Sequence, residues 1–420
     1  MKRFFAFVFS LFLIVSLLAV TAQDSPDVTL IGYAVLPADT FADGPVSGAA
    51  LDPVNERIPP FESQPVQGFS GIIPAENGNY YVILDNGYGR KDNSADFNLR
   101  WYELAIDWET ESVEVLDYRQ LSDPDNYISW PIVNGDTAGR VLTGADLDPE
   151  SFRQVADGTF WIGDEFGPYL LHFDADGKLL EIPIHMPYVN ELSEFARGLP
   201  FIHSPDHPDF VSVTDAELRG QLANLGSSKG IEGIGMNKDG TILYPLLEGA
   251  LVTDPDQTHL LIREFLPETT SYTNRYWFYP LENSGHAIGE MTFFDDETFL
   301  ILERDNTQGA DAAFKRIFQV NLNDFESDGH TLKKTLLVDL LSIQDRNGLT
   351  QTEEGVIGYG SDFKFPFITI ESVYVVDPQT LLVVNDNNYP GSAGRRPNMP
   401  DDNEFILLQL PTVLNADVSP

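Results

Sequence analysis

Residues 143–168 read TGADLDPESFRQVADGTFWIGDEFGP, and the grammar of this stretch decides the fold. Glu150-Ser151-Phe152 opens a short segment, Asp157-Gly158 signals a turn, and Thr159-Phe160-Trp161-Ile162-Gly163 is a β-prone run. The run ends in paired carboxylates, Asp164-Glu165, before Phe166-Gly167-Pro168 breaks the strand. Asp-Gly between two β-prone runs predicts a hairpin.

The chain repeats this grammar. An earlier copy has Phe69-Ser70-Gly71-Ile72, a turn at Asn77-Gly78 and the run Tyr80 to Leu84 ending in Asp85-Asn86, with Ser70 where the others hold Glu. Later copies open on Ile231-Glu232-Gly233, Gly289-Glu290-Met291 and Ile370-Glu371-Ser372. Their second runs end in Glu248-Gly249, Glu303-Arg304-Asp305-Asn306 and Asn385-Asp386-Asn387-Asn388. Outer hairpins are expected over Arg100 to Asp107 with Ser112 to Tyr118, and over Lys315 to Leu322 with Leu332 to Leu340; the unit at 143–168 continues through Tyr169 to Phe173 and Lys178 to Ile184. Repeated four-stranded units predict an all-β, single-domain β-propeller. Units starting this far apart leave room for a hidden blade, so six blades are favoured within a range of five to seven. The strands Val28 to Leu36 and Glu404 to Leu410 lack units of their own; pairing them would close the ring and remove its free edge. Helix is expected only near Val189 to Arg197 and Thr214 to Leu225.

Composition agrees with this reading. The 420 residues include 28 Phe, 16 Tyr, 33 Gly and 28 Pro, which suits short strands and tight turns, and the net charge is −40. Such a field repels nucleic acid and attracts cations, or serves solubility in a saline or extracellular setting. Lys2-Arg3, the apolar Phe4 to Val20 and the small Val20-Thr21-Ala22 read as a secretory signal over 1–22, cleaved after Ala22, with the domain in 23–420. The expected product is exported to the periplasm or the medium, monomeric, and without stable membrane insertion. Absence of Cys excludes disulfides, thiolate metal sites and a cysteine nucleophile.

In a propeller the ends of the first two strands of each unit converge on the axis. That brings together Glu150, Glu232, Glu290 and Glu371 at strand openings, and Asp85, Asp164, Glu165, Glu248, Glu303 and Asp386 at strand ends. Carboxylates so gathered raise one another's pKa unless a cation compensates, and oxygen ligands without Cys fit Ca²⁺. The alternative is that each carboxylate caps a turn or a neighbouring strand. Arg304 and Lys229 are the basic groups expected near a bound anion, or, for Arg304, an ion pair with its flanking acids. Arg395-Arg396 reads as a solvated loop.

Asp148-Pro149-Glu150-Ser151 leading into Asp164-Glu165-Phe166-Gly167-Pro168, then Glu232-Gly233-Ile234 and Asn385-Asp386-Asn387-Asn388, resemble the secreted phytase-like proteins with esterase-like activity of phytase. The resemblance runs over most of the chain from Leu30-Ile31-Gly32 onward. It implies a β-propeller and a phosphoester hydrolase in which Ca²⁺ bridges substrate phosphate in an acidic channel and positions an attacking water. The resemblance carries over only the class of site; from their repeat positions, Glu150, Asp164, Glu165 and Arg304 are the candidate catalytic residues. Asp85, Glu150, Asp164, Glu165, Glu232, Glu248, Glu303, Glu371 and Asp386 are the candidate metal ligands, and Lys229 and Arg304 the substrate contacts.

Two other readings stay open: a lactonase or carboxylic-ester hydrolase using a cation in the same channel, and a non-catalytic propeller that binds a ligand or partner. A serine esterase is disfavoured, because Gly68-Phe69-Ser70-Gly71 does not make a Gly-x-Ser-x-Gly elbow. His203 and His207, with Asp206 and Asp209, have a metal-ligand spacing, but Pro205 and Pro208 interrupt any helix that would align them, so a surface loop is expected there. His172 and His286 show no partner in the sequence.

Overall fold

Aromatic and β-branched runs separated by Asn-Gly, Asp-Gly and Asp-Pro turns form strands in the computed structural model, which describes residues 27–414. Blade 1 comprises Phe69–Pro74, Tyr80–Leu84, Arg100–Asp107 and Ser112–Gln120, and blade 2 Pro149–Gln154, Phe160–Asp164, Tyr169–Phe173 and Ile184–His185. Blade 3 is Ile231–Met236, Leu243–Leu247, His259–Leu266 and Ser271–Pro280; blade 4 is Ala287–Phe293, Thr298–Arg304, Lys315–Phe325 and Leu332–Asp339. Blade 5 takes Thr369–Asp377, Thr380–Asp386 and Asn403–Gln409 from the end of the chain and Thr29–Leu36 from its beginning. Within each blade neighbouring strands are antiparallel.

The closure expected from the unpaired terminal strands is present. Thr29–Leu36 runs antiparallel to Asn403–Gln409, with Tyr33 opposite Ile406 and Leu36 opposite Asn403. A single bridge, Val35 to Ser112, then joins blade 5 to the outer edge of blade 1. The innermost strands pack blade to blade around the ring, and that of blade 5 meets that of blade 1. Among the described residues there are five blades, not the six favoured from loop length. The long connections 121–148, 186–230 and 340–368 hold 3₁₀ turns, two-residue strands and one helix, Ala216–Leu222, but no further four-stranded sheet. The fourth strand of blade 2 is also shorter than expected, because Lys178 and Leu179 bridge to Ser122 and Phe173 and only Ile184–His185 pairs as a strand. The amino-terminal signal reading falls outside the described residues.

Two features of this packing position the site. First, the core lies between successive blades, as where Trp101 stacks on Phe160 at 4.9 Å and Phe299 meets Tyr244 edge-on at 5.1 Å. Blade angle is therefore set by side-chain volume away from the axis, which frees the inner strand ends to carry polar groups. Second, many acids are spent on turns. Asp157 accepts from the Thr159 amide at 2.9 Å, Asp295 from the Thr298 amide at 2.7 Å and Asp377 from the Gln379 amide at 2.7 Å. These acids, which are not among the axial candidates, cap their own hairpin turns.

Candidate functional site

Each inner strand slips by one residue against its partner, between Phe69 and Gly71, Pro149 and Ser151, Ile231 and Gly233, Ile288 and Glu290, and Ile370 and Ser372. A bulge leaves one residue outside the ladder and re-aims its side chain. The five bulged residues are Ser70, Glu150, Glu232, Gly289 and Glu371. Facing them, one residue past the second-strand partner of the residue before each bulge, are Asp85, Glu165, Glu248, Arg304 and Asp386. The first three are tied by amide bonds to the carbonyls of Gly68, Asp148 and Gly230 at 2.9, 2.9 and 2.8 Å, while Arg304 lies opposite Ala287 and Asp386 opposite Thr369. The repeat thus delivers ten positions to one end of the axis; blade 4 fills its two with Gly289 and Arg304 and so contributes no carboxylate, while blade 1 holds Ser70 and Asp85. A side chain on Gly289 would strike the Ile370 carbonyl oxygen, 2.1 Å from where its Cβ would stand.

This register corrects three expectations. Glu290 is not equivalent to Glu150, Glu232 and Glu371; Gly289 is, and Glu290 falls one place later. Its Oε1 lies 2.8 Å from Arg153 Nη2, so a buried ion pair joins blades 2 and 4 across the axis. Glu303 is likewise one place early. It accepts from Tyr279 Oη at 2.9 Å, from His286 Nδ1 at 2.8 Å and from Lys334 Nζ at 2.7 Å, which removes it from the axial group and gives His286 its partner. Asp164 accepts from the Asp148 amide at 2.9 Å and the Gly167 amide at 2.6 Å, so it braces the backbone that carries Asp148 and Glu165. Burial pushes its carboxyl up to about 7 against those two bonds.

The carboxylates that do converge form three overlapping triads whose ligand atoms lie within 4.8 Å of one another: Asp148, Glu150 and Glu165; Glu150, Glu232 and Glu371; Glu165, Glu232 and Glu248. Asp148 was quoted in the opening motif yet not singled out. It precedes the inner strand of blade 2, and the Asn86 amide and Nδ2 fix it at 3.0 and 2.7 Å. An Asp two residues before the bulge was the available signal.

All members are buried, but they are not equally satisfied. Asp85 receives the Gly87 amide at 2.7 Å; Asp386 receives the Asn388 amide at 2.7 Å and Thr369 Oγ1 at 3.0 Å. Glu371 pairs with Arg304 Nη2 at 3.0 Å and with Ser70 Oγ at 3.3 Å, and Glu248 pairs with Lys229. Arg304 Nη2 also stands 3.7 Å from Glu248 Oε1, so Arg304 bridges acids of blades 3 and 5 rather than its own flanking Glu303 and Asp305, which pair with Lys334 and Lys315. Glu150 and Glu165 instead share hydrogen bonds with the Asp148 carboxyl, and Glu232 faces Glu248 and Glu371.

The electrostatics follow from this arrangement. Burial, reinforced by neighbouring carboxylates, drives Glu150, Glu165 and Glu232 well above the usual carboxylate range. Burial with the adjacent Asp148 pushes Asp85 up to about 8, and burial outweighs Arg304 to push Glu371 up to about 8. Asp386 rises to about 7 through burial and Asp85. Burial opposes the charge of Lys229 and Arg304, but the surrounding acids outweigh it and hold both above their ordinary values. Of the remaining basic residues, Arg395 is buried rather than solvated: it binds Glu404 at 2.6 Å and lies over Tyr359, while Arg396 pairs with Glu353 at 2.8 Å. His172 likewise has partners, Glu181 and Thr159, each at 2.8 Å.

A family model described as "Phytase-like: Esterase-like activity of phytase" matches residues 64–389. An "Uncharacterized secreted protein" of Arthroderma benhamiae is 28% identical over 248 residues, 48% of this chain and 47% of its own, so the chain spans about half the length of that curated relative. Among solved structures, a protein of unknown function from Dyadobacter fermentans aligns with a TM-score of 0.42 and 11% identity, covering 92% of this chain and 100% of that one. A luciferin-regenerating enzyme aligns with a TM-score of 0.36 and 12% identity over 92% and 96% of the two chains.

Proposed function

The chain belongs to the phytase-like family, and from that premise we propose that it is a cation-dependent hydrolase of phosphoesters. The observation that supports the proposal is the convergence of buried carboxyls around Glu150, Glu165 and Glu232 into triads whose ligand atoms lie within 4.8 Å of one another. Buried carboxyls this close hold protons unless a cation pairs with them, so a bound cation is what would let them ionise together. The donors are all oxygen, with no imidazole or thiolate among them, which suits a hard cation; Ca²⁺ is the one proposed. Asp148, Glu150, Glu165, Glu232, Glu248 and Glu371 would hold it, with Asp85 and Asp386 beside them. When bound, such a cation supplies positive charge against both the carboxylates and a substrate phosphate.

The chain's own residues divide the remaining work. Arg304 and Lys229 are the cationic groups inside the cluster, and each can turn a donor to a phosphate oxygen. Asp164 acts as a positioning residue through the Asp148 and Gly167 amides. In the hydrolysis proposed, a water oxygen bonds to phosphorus and the ester P–O bond breaks. Glu150 or Glu165 takes the proton of the water, and a neighbouring protonated carboxyl returns one to the departing alkoxide. Carboxyls raised toward neutral pH are suited to both transfers.

Arg304 and Lys229 point into the cluster, which favours a phosphorylated substrate over a lactone. We also propose export, on the amino-terminal sequence and on the description of the fungal relative as a secreted protein. Purified protein should release phosphate from phytate or an aryl phosphate with Ca²⁺ and not with chelator. Turnover of lactones alone would move the assignment to the lactonase reading, and no turnover of either class would leave a binding propeller.

A further inference from the structure

We infer a second metal site, for a transition ion such as Zn²⁺ or Co²⁺, on His203, His207 and Asp209 in the long insertion between blades 2 and 3. One ligand atom from each lies within 4.8 Å of the others. The prolines expected to prevent this instead build it. Pro208 starts the 3₁₀ turn Pro208–Phe210, and that turn folds Asp209 back onto both imidazoles. Asp209 Oδ2 stands 2.9 Å from His203 Nε2 and 3.8 Å from His207 Nδ1. Ligand atoms around a tetrahedral ion with bonds near 2.0 Å are about 3.3 Å apart, so these separations bracket what an ion requires. Asp206 is not part of the group; its Oδ2 accepts from Ser227 at 2.7 Å.

The hydrogen bonds argue for an ion independently of the spacing. The Phe201 carbonyl oxygen lies 2.9 Å from His203 Nδ1, and because a carbonyl only accepts, that nitrogen carries the proton. In a neutral ring the lone pair of Nε2 then faces the Asp209 carboxylate, two acceptors in contact. An Nδ1–H donated to a backbone carbonyl is the arrangement that fixes a metal-binding imidazole. His207 is turned the opposite way: its Nδ1, the nitrogen nearer Asp209, already accepts from the Asp209 amide at 3.0 Å, while Nε2 contacts Tyr169 Oη at 3.0 Å and His185 Nδ1 at 3.4 Å. Binding would exchange that one amide bond for a metal bond. Both imidazoles are buried, whereas the Asp209 side chain is 64% exposed and leaves the site a way in.

The role of the site would be to clamp this loop beside the strand end that carries Glu165. The same loop is fastened to the residue after Glu165, through Ser204 Oγ donating to the Phe166 carbonyl at 2.5 Å, and Lys91 Nζ donates to the Asp206 carbonyl at 3.0 Å. An ion at His203, His207 and Asp209 would hold this loop against blade 2. It differs in chemistry from the axial carboxylates, which offer no nitrogen.

The test is a Co²⁺ titration of the full chain, stripped by chelator and then kept in saturating Ca²⁺. One equivalent should bind with the visible absorption of a nitrogen-ligated, four- or five-coordinate ion, and Zn²⁺ should displace it. Asp209→Ala, at an exposed side chain and checked for folding by circular dichroism, should weaken binding at least about tenfold. Absence of the band in the wild-type chain, its loss to Ca²⁺, or unchanged binding in Asp209→Ala would each overturn the inference; the first would mean that a protonated His203 simply pairs with Asp209.

Discussion

Removing divalent ions from this protein should make its stability fall as pH rises, and restoring Ca²⁺ should abolish the effect. The sign comes from the axial carboxyls. Asp85 and Glu371 are pushed up to about 8, and Asp386 to about 7, from ordinary values near 4. Without a cation the folded chain keeps protons that the unfolded chain has already released, so stability is lost as pH climbs toward the folded values. His207 works the other way, because burial pushes it down to about 3, but its effect ends near its ordinary value. The clean window therefore runs from about pH 6.5 to about pH 8. Each proton held through it costs about 2 kcal/mol of stability by its upper end, at 1.36 kcal/mol per pH unit. With an unfolding entropy of roughly 0.8 kcal/mol/K for a chain this long, that is about 2 to 3 °C in Tm per proton. Ca²⁺ at about one hundred times its Kd should return about 2.7 kcal/mol at neutral pH. Calorimetric melting across this window, with chelator and with Ca²⁺, makes the comparison. A chelated protein whose Tm is flat or rises with pH, and which Ca²⁺ leaves unmoved, would refute the reasoning.

Three substitutions separate the axial acids from their look-alikes. Glu290→Gln leaves Arg153 buried without its partner and should cost about 3 to 5 kcal/mol in denaturant unfolding, with Ca²⁺ affinity unchanged by calorimetric titration. Glu232→Gln should do the reverse, raising the melting temperature of the chelated protein and weakening Ca²⁺ by on the order of tenfold, since it removes a like charge and a ligand together. Arg304→Gln unpairs Glu371 and should lower phosphoester kcat/KM by about 100-fold, measured at saturating Ca²⁺, if its guanidinium meets the charge that develops on phosphate.

Much of this molecule was legible in the sequence because its repeat writes the same turn and the same strand lengths several times. The hairpin at Asp157-Gly158, the terminal strand that completes blade 5 and the short helix near Ala216 all follow from local chemistry. The register at the axis did not. Ile231-Glu232-Gly233 and Ile288-Gly289-Glu290 differ only by exchange of two residues, yet the bulge takes Glu232 in one and Gly289 in the other. Side-chain period in a strand is two, so one place decides between the channel and an interblade ion pair. The same single step separates Glu303 from Arg304 and Asp164 from Glu165. The histidine segment is a loop, as its prolines require, but the contact between His203 and Asp209 is made by a tight turn that residue spacing does not reveal. Blade count was overestimated because long connections look like missing strands when their hydrogen bonds, many of them from side chains, cannot be seen.

The most direct test of the account is a crystal structure of the protein grown with Ca²⁺. It should show strong density, with oxygen ligands at about 2.3 to 2.6 Å, among Glu150, Glu165 and Glu232 and their neighbours Asp148, Glu248 and Glu371. An axis holding only water at saturating Ca²⁺, with these carboxyls paired to one another, would contradict it.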